Sequence, residues 1–210
     1  MQITWLASYP RSGNTFLRSI LFNCFGLKSG SIYPNDLGGN KSLESFVGHI
    51  EHGENKTIRF PNTIPLIKTH DLNKDDSQSI YVIRDGRATC VSFWNYYGKK
   101  ISMKDIILGN HMFGKWSDHV TSWHPKKRNK TLLLKYEEMV DNFEITLGSI
   151  SAFLEQDIIS KKLPSRETVA KSDGKWVRSK TDWRAEISSE ELDLFNEVNY
   201  PVLKEYGYGG

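Results

Sequence analysis

The stretch Ile3-Thr-Trp-Leu-Ala-Ser-Tyr-Pro-Arg-Ser-Gly-Asn-Thr-Phe-Leu-Arg18 decides the fold. The apolar run Ile3 to Ala7 predicts a buried strand, a Pro/Ser/Gly turn follows, and an amphipathic helix is expected from Thr15 to Phe25. Phe16, Leu17, Ile20, Leu21, Cys24 and Phe25 give that helix its apolar face, and Gly26 is its expected stop. Strand, tight turn and helix N-terminus together form an anion pocket. Backbone N–H groups converge there, the helix dipole adds roughly half a positive charge, and Arg11 adds a full one. A phosphate or sulfate ester suits such a pocket. The alternative is an ordinary strand-to-helix turn, because the G-x-x-x-x-G-K-[ST] spacing of a P-loop is missing.

Outward from this unit, Ile64-Pro-Leu-Ile67, Ile80-Tyr-Val-Ile83 and Thr131-Leu-Leu-Leu134 predict three more buried strands. Helices are expected over Gly86 to Tyr97, Phe113 to Trp123, Phe143 to Leu154 and Ser189 to Tyr206. The Gly-, Asn-, Ser- and Lys-rich residues 28–62 predict mostly loop, with one short helix near Leu43 to Ile50. Alternating strands and helices imply an α/β fold: a three-layer α/β/α arrangement with a central, mainly parallel sheet. Ligands of such sheets bind beyond the carboxyl ends of the strands. Arg11, Lys68-Thr-His70, Arg84 and Lys135-Tyr136 each follow a different strand, so four strand ends deliver cationic or aromatic groups to one edge.

The 210 residues, 38% hydrophobic and 25% charged, are enough for one domain over 1–210 with a sizeable core. A net charge of +3 is mild and spread along the chain, which argues against a nucleic-acid partner. The densest basic run, Lys126-Lys-Arg-Asn-Lys130, is expected to be a solvated loop. No apolar run approaches the ~18 residues of a membrane span, and a strand at Ile3 leaves no room for a secretory signal, so a cytoplasmic location is expected. Cys24 and Cys90 are the only cysteines; both fall in expected helices and read as buried small hydrophobes, suggesting neither disulfide nor zinc site.

With these residues placed, the chain resembles the cytosolic-type sulfotransferases, which move a sulfuryl group from 3′-phosphoadenosine 5′-phosphosulfate (PAPS) to an acceptor and release adenosine 3′,5′-bisphosphate (PAP). Ser8-Tyr-Pro-Arg-Ser-Gly-Asn-Thr-Phe16 resembles the family's P-loop-like 5′-phosphosulfate loop, and Lys68-Thr-His70 the segment with its catalytic histidine. Tyr81 to Ser92 resembles the 3′-phosphate segment, including the eight-residue interval from Arg84 to Ser92. Phe113 to Trp123 and Leu134 to Met139 resemble two further signatures. The five stand in the family's order.

The resemblance implies a sulfotransferase acting by in-line displacement, without a metal, on a small-molecule or glycan acceptor through a hydroxyl or amine. The backbone of Ser12, Gly13, Asn14 and Thr15, with the Ser12 and Thr15 hydroxyls and Arg11, is expected to hold the 5′ end. Arg84 and Ser92 are expected to hold the 3′-phosphate, Phe16 to stack on adenine, and Tyr136 to match a family tyrosine near the base. His70 is the expected general base, and Lys68 the charge beside the transferring group. Arg11 stands where animal enzymes commonly have lysine; as a permanent cation it can stabilise charge but donates protons poorly, so the source of the leaving-group proton stays open. Arg178 in Arg178-Ser-Lys-Thr-Asp-Trp183 resembles a 3′-phosphate ligand on a segment shorter than the family's. Residues 28–62 and 98–125, with Trp94, Tyr96, Tyr97, Phe113 and Trp116, are the candidates for shaping the acceptor site or for packing the core.

Two rivals remain at this level. A small-molecule kinase needs a loop lysine followed by Ser or Thr and an acid for Mg²⁺; the first is missing, and Asp85 is the candidate for the second. A non-catalytic PAP-binding protein would need neither His70 nor Lys68. Acceptor identity and oligomeric state are not legible.

Overall fold

The computed structural model describes residues 3–61, 64–172 and 182–209. β1 (Thr4–Ala7) leads into α1 (Asn14–Phe25); β2 (Ser29–Ser31), α2 (Lys41–Val47), β3 (Leu66–Thr69), β4 (Gln78–Ile83), α3 (Gly86–Tyr96), α4 (Met103–Leu108), α5 (Trp116–Trp123), β5 (Thr131–Lys135), α6 (Tyr136–Asp141), α7 (Phe143–Leu154), α8 (Arg166–Ser172) and α9 (Ser189–Glu205) follow. The strands form one five-stranded sheet in the order β2-β3-β1-β4-β5, and every pairing is parallel.

Parallel strands are covered on both faces, so alternate residues must be apolar in both directions. Leu6, Ile80 and Val82 point to one face and pack with Leu17, Ile20 and Leu21 of α1 and Leu147 and Ile150 of α7. Ala7, Tyr81 and Ile83 point to the other, against Phe93 of α3, Ile106 of α4, Trp116 and Val120 of α5 and Phe195 of α9. The three-layer expectation is met. Central β1 pairs with β3 on one side and β4 on the other, with Ala7 level with Thr69 and Tyr81. Chain connections diverge to opposite sides of β1, which makes its carboxyl end the switch point where a crevice opens.

The four expected strands form within two residues of their expected bounds, as does α1, whose stop at Gly26 is a left-handed cap (φ 68°) with its N–H on the Leu21 and Phe22 carbonyls. β2 was not visible in the sequence: Ser29-Gly-Ser31 lacks an apolar signature, yet all three residues are buried. Its polar groups are satisfied from α1, where Arg18 Nε donates to Ser29 Oγ at 2.8 Å and Nη2 to the Ser29 carbonyl at 3.1 Å. α5 starts at Trp116 rather than Phe113, because Gly114 adopts a left-handed turn (φ 68°) and the Phe113 N–H is held by His111 Nδ1. The short helices α4, α6 and α8 also went unpredicted, each too brief to show a period. The basic run is not wholly solvated. Arg128 lies 5.2 Å over the Trp123 ring and donates to Ser79 Oγ and the Asp75 and Ser77 carbonyls, bracing the turn before β4. Cys24 and Cys90 are buried and unbridged, as expected.

Candidate active site

A cleft of about 390 Å³ opens at the switch point. Its floor is the β1–α1 loop. Gly13, the residue before α1, has φ 111° and offers the helix no side-chain cap, so the first-turn amides of α1 have no side-chain acceptor from that position. Such a bare helix N-terminus favours an anion. Asn14 ties the helix start to the strand end, its Nδ2 donating to the Leu6 carbonyl at 2.8 Å and to Ser8 Oγ at 3.3 Å. The buried Ser12 hydroxyl has no hydrogen-bond partner, a cost that a bound oxyanion would relieve.

The loop leaves no space for a side chain at Gly13. A Cβ there would meet Tyr136 Cδ2 at 2.6 Å on a backbone that L-residues rarely adopt. Gly13→Ala is therefore expected to lower unfolding stability by about 2–4 kcal/mol, the left-handed penalty plus overpacking, measured by urea denaturation.

Cations and rings line one wall. Arg84 lies 4.6 Å over the Tyr136 ring, and its Nη1 donates to the Arg11 carbonyl at 3.3 Å. Tyr136 in turn meets Phe16 edge-on with centroids 6.2 Å apart. Arg11, itself at φ 68°, sends its guanidinium 4.6 Å over Tyr96 and within 3.4 Å of Ser92 Oγ. Thus the Arg11 side chain leans toward the expected 3′-phosphate residues, and the two expected cradles adjoin through it.

On the opposite wall β3 ends in Lys68-Thr69, and His70 follows directly. His70 Nδ1 lies 2.7 Å from the Ser8 carbonyl, which can only accept, so Nδ1 carries the proton and Nε2 the lone pair. Tyr33 stacks on the ring at 5.9 Å and its hydroxyl accepts from the His70 backbone N–H at 3.0 Å; Phe113 meets the ring edge-on. Burial, then the Lys68 charge, holds the imidazole well below its ordinary value near 6.5, which keeps it neutral at physiological pH.

Lys68 does not stand alone. Its Nζ lies 2.5 Å from Asp36 Oδ1, while Asp36 Oδ2 accepts from Arg18 Nη1 at 2.6 Å, with all three side chains nearly sealed from solvent. Arg18 Nη2 also approaches His49 Nδ1 at 2.8 Å. Burial opposes ionisation of Asp36, but Lys68 and Arg18 pull its carboxyl down to about 2. The sequence carried no sign of Asp36, which sits in a Gly- and Asn-rich loop with no periodicity.

Of the expected site residues, Arg11, Gly13, Asn14, Thr15, Phe16, Lys68, His70, Arg84 and Tyr136 line the cleft. Ser12 is buried within the loop and is not among the lining residues, and Ser92 meets the site through Arg11. Arg178 lies outside the described residues. Among the acceptor-site candidates, Tyr96, Tyr97 and Phe113 line the cleft, whereas Trp116 is buried in the core and Trp94 packs against it. Tyr33, Asp36, Leu37, Phe93 and Met112 line the cleft without having been singled out. Among the described residues no cluster of three His, Cys, Asp or Glu is placed to hold a metal. The arrangement offers an anion seat, flanking cations and a neutral imidazole in one crevice.

The profile of the Sulfotransferase domain matches residues 2–206. The chain belongs to the sulfotransferase family. This sulfotransferase chain is 28% identical over 181 residues to mouse sulfotransferase 1 family member D1, covering 73% of this chain and 59% of that relative. It is 25% identical over 177 residues to human sulfotransferase 2A1, covering 75% and 61%. The chain thus spans about three fifths of the curated relatives it matches. Its fold is similar to that of mouse sulfotransferase SULT7A1 complexed with PAP (TM-score 0.66, 23% identity, 100% of this chain and 89% of that one). It is also similar to retinol dehydratase in complex with androsterone and PAP (TM-score 0.67, 18% identity, 96% and 80%).

Proposed function

We propose that this protein transfers a sulfuryl group from PAPS to an acceptor hydroxyl or amine, as one domain over 1–210 working in the cytoplasm. The observation that carries the reading is the His70 tautomer: Nδ1–H is spent on the Ser8 carbonyl, and Nε2 is left as a proton acceptor in the same cleft as the β1–α1 loop. PAPS supplies an activated sulfate whose leaving group is a phosphate. The α1 amides and the Ser12 and Thr15 hydroxyls bind the 5′ end, and the orphaned Ser12 hydroxyl and the bare helix N-terminus fit that group. Arg84, Ser92 and Arg178 bind the 3′-phosphate, and Phe16 and Tyr136 hold the adenine. His70 Nε2 takes the acceptor proton, Lys68 faces the charge on the moving group, and Arg11, leaning from the first loop toward Ser92, adds positive charge between the two phosphate seats.

Tyr33, Tyr97, Met112 and Phe113 form the part of the cleft left for the acceptor, a lining suited to a flat phenol, a steroid-like ring or a sugar face. The kinase reading is not favoured, because the loop lacks the lysine that cradles a nucleotide triphosphate. The test is transfer of radiolabelled sulfate from PAPS to a panel of phenol, steroid and sugar acceptors in EDTA. Transfer in EDTA is expected. Phosphoryl transfer from ATP that requires Mg²⁺, with no sulfuryl transfer, would overturn the proposal.

A further inference from the structure

We propose that Asp36 is a positioning residue for sulfuryl transfer: anchored by Arg18, its carboxylate holds the Lys68 ammonium charged and fixed in the cleft wall. The inference rests on the sulfotransferase reading above and deepens it.

Lys68 is the last but one residue of β3, its side chain about 5% exposed, with Asp36 its salt-bridge partner. The groups that face it come from several elements. Arg11 approaches from the β1–α1 loop and Arg18 from α1, and both are positive; behind Arg18 stand His49 and, on α2, Glu44. The neutral His70 follows just past the end of the same strand, and the Tyr33 ring lies 5.8 Å away. Burial pulls the Lys68 ammonium below its ordinary value, Arg18 and Arg11 add to that, and Asp36 is the counterweight. A lysine in this position with its carboxylate removed would shed its proton at lower pH, and the reaction would lose the charge with it.

The backbone is shaped to put that carboxylate there. Asp36 opens a turn in which Leu37, Gly38 and Gly39 are all left-handed (φ 60°, 63° and 69°), a costly conformation at leucine. Arg18 fixes the far oxygen at 2.6 Å and is itself held by Ser29, so the carboxylate cannot swing to follow a mobile lysine. The near oxygen then sets where Nζ sits relative to His70 and the α1 N-terminus.

Asp36→Asn alone leaves Arg18 buried without a counterion and risks unfolding. Arg18→Met and Arg18→Met/Asp36→Asn avoid this. The first readout needs no turnover: the Lys68 side-chain ¹³Cε resonance, identified by its loss in Lys68→Met, is followed against pH. It should titrate at clearly lower pH in the double variant than in Arg18→Met, because the carboxylate that holds the proton is missing only from the double variant. The second readout is turnover. The double variant should lose roughly tenfold or more in turnover relative to Arg18→Met, with the loss growing as pH rises through its Lys68 titration, while keeping PAP affinity within about threefold. Adding Lys68→Arg should abolish that pH dependence, since arginine stays charged.

A wild-type Lys68 that is already neutral at the pH of maximal turnover would overturn the inference even if no variant folds. So would superimposable titrations of Lys68 in Arg18→Met and the double variant, which would make the bridge a fold-stabilising pair alone. A wild type that transfers no sulfate while Lys68 titrates as expected would instead sink the sulfotransferase reading.

Discussion

Replacing His70 with alanine is expected to lower turnover by ~10²–10⁴-fold while changing PAP affinity by less than about threefold, measured by radiolabelled transfer and by calorimetry. The asymmetry follows from the geometry. His70 is held by the Ser8 carbonyl, the Tyr33 ring and the edge of Phe113, on the wall opposite the Arg84, Tyr136 and Phe16 group. Its loss removes a proton acceptor without touching the nucleotide cradles. The pH profile supplies an independent check. A base works in its neutral form, and a lowered pKa extends that form toward acid. Burial and Lys68 depress this imidazole, so wild-type kcat/KM should hold through pH 6.5, with its acid limb well below that value. Equal losses in turnover and PAP binding would make His70 a structural residue, and an acid limb at 6.5 would show it solvated.

The sheet was legible because buried parallel strands are short, uniformly apolar runs, and the four that obey this were found. β2 escaped because its burial is bought with hydrogen bonds from Arg18 and not with apolar side chains. The same arginine explains why Asp36 was missed. A carboxylate in a loop gains its meaning from Arg18 and Lys68, residues 18 and 32 positions away, and no local pattern encodes that closure. The strand-end residues were legible for the opposite reason: a parallel sheet places the carboxyl end of every strand on one edge, so their convergence follows from topology. What topology does not dictate is side-chain direction. Arg11 turns from the loop amides toward Ser92 and Tyr96, and Trp94 and Trp116 turn into the core while Tyr96, Tyr97 and Phe113, near them in sequence, face the cleft.

Arg84→Ala is expected to weaken PAP binding by roughly 10- to 100-fold, the worth of one charge-assisted hydrogen bond at about 1.5–3 kcal/mol. Adenosine 5′-monophosphate, which lacks the 3′-phosphate, should lose less than about threefold, because its remaining anion rests on the α1 amides. The comparison is decisive because Arg84 touches both halves of the site. It donates to the Arg11 carbonyl in the first loop and stacks on Tyr136, whose ring adjoins Phe16 and Gly13. An arginine serving the 3′-phosphate changes the ratio of the two affinities. An arginine that only shapes the loop, or serves the 5′ end, weakens both ligands together and leaves the ratio where it was. Arg11→Ala provides the contrast: its Nε lies near Ser92 Oγ while its backbone belongs to the first loop, so its loss should weaken both nucleotides. Calorimetric titration of the two nucleotides into wild type and both variants reads the ratio directly, and an unchanged ratio in Arg84→Ala removes this residue from the 3′-phosphate seat.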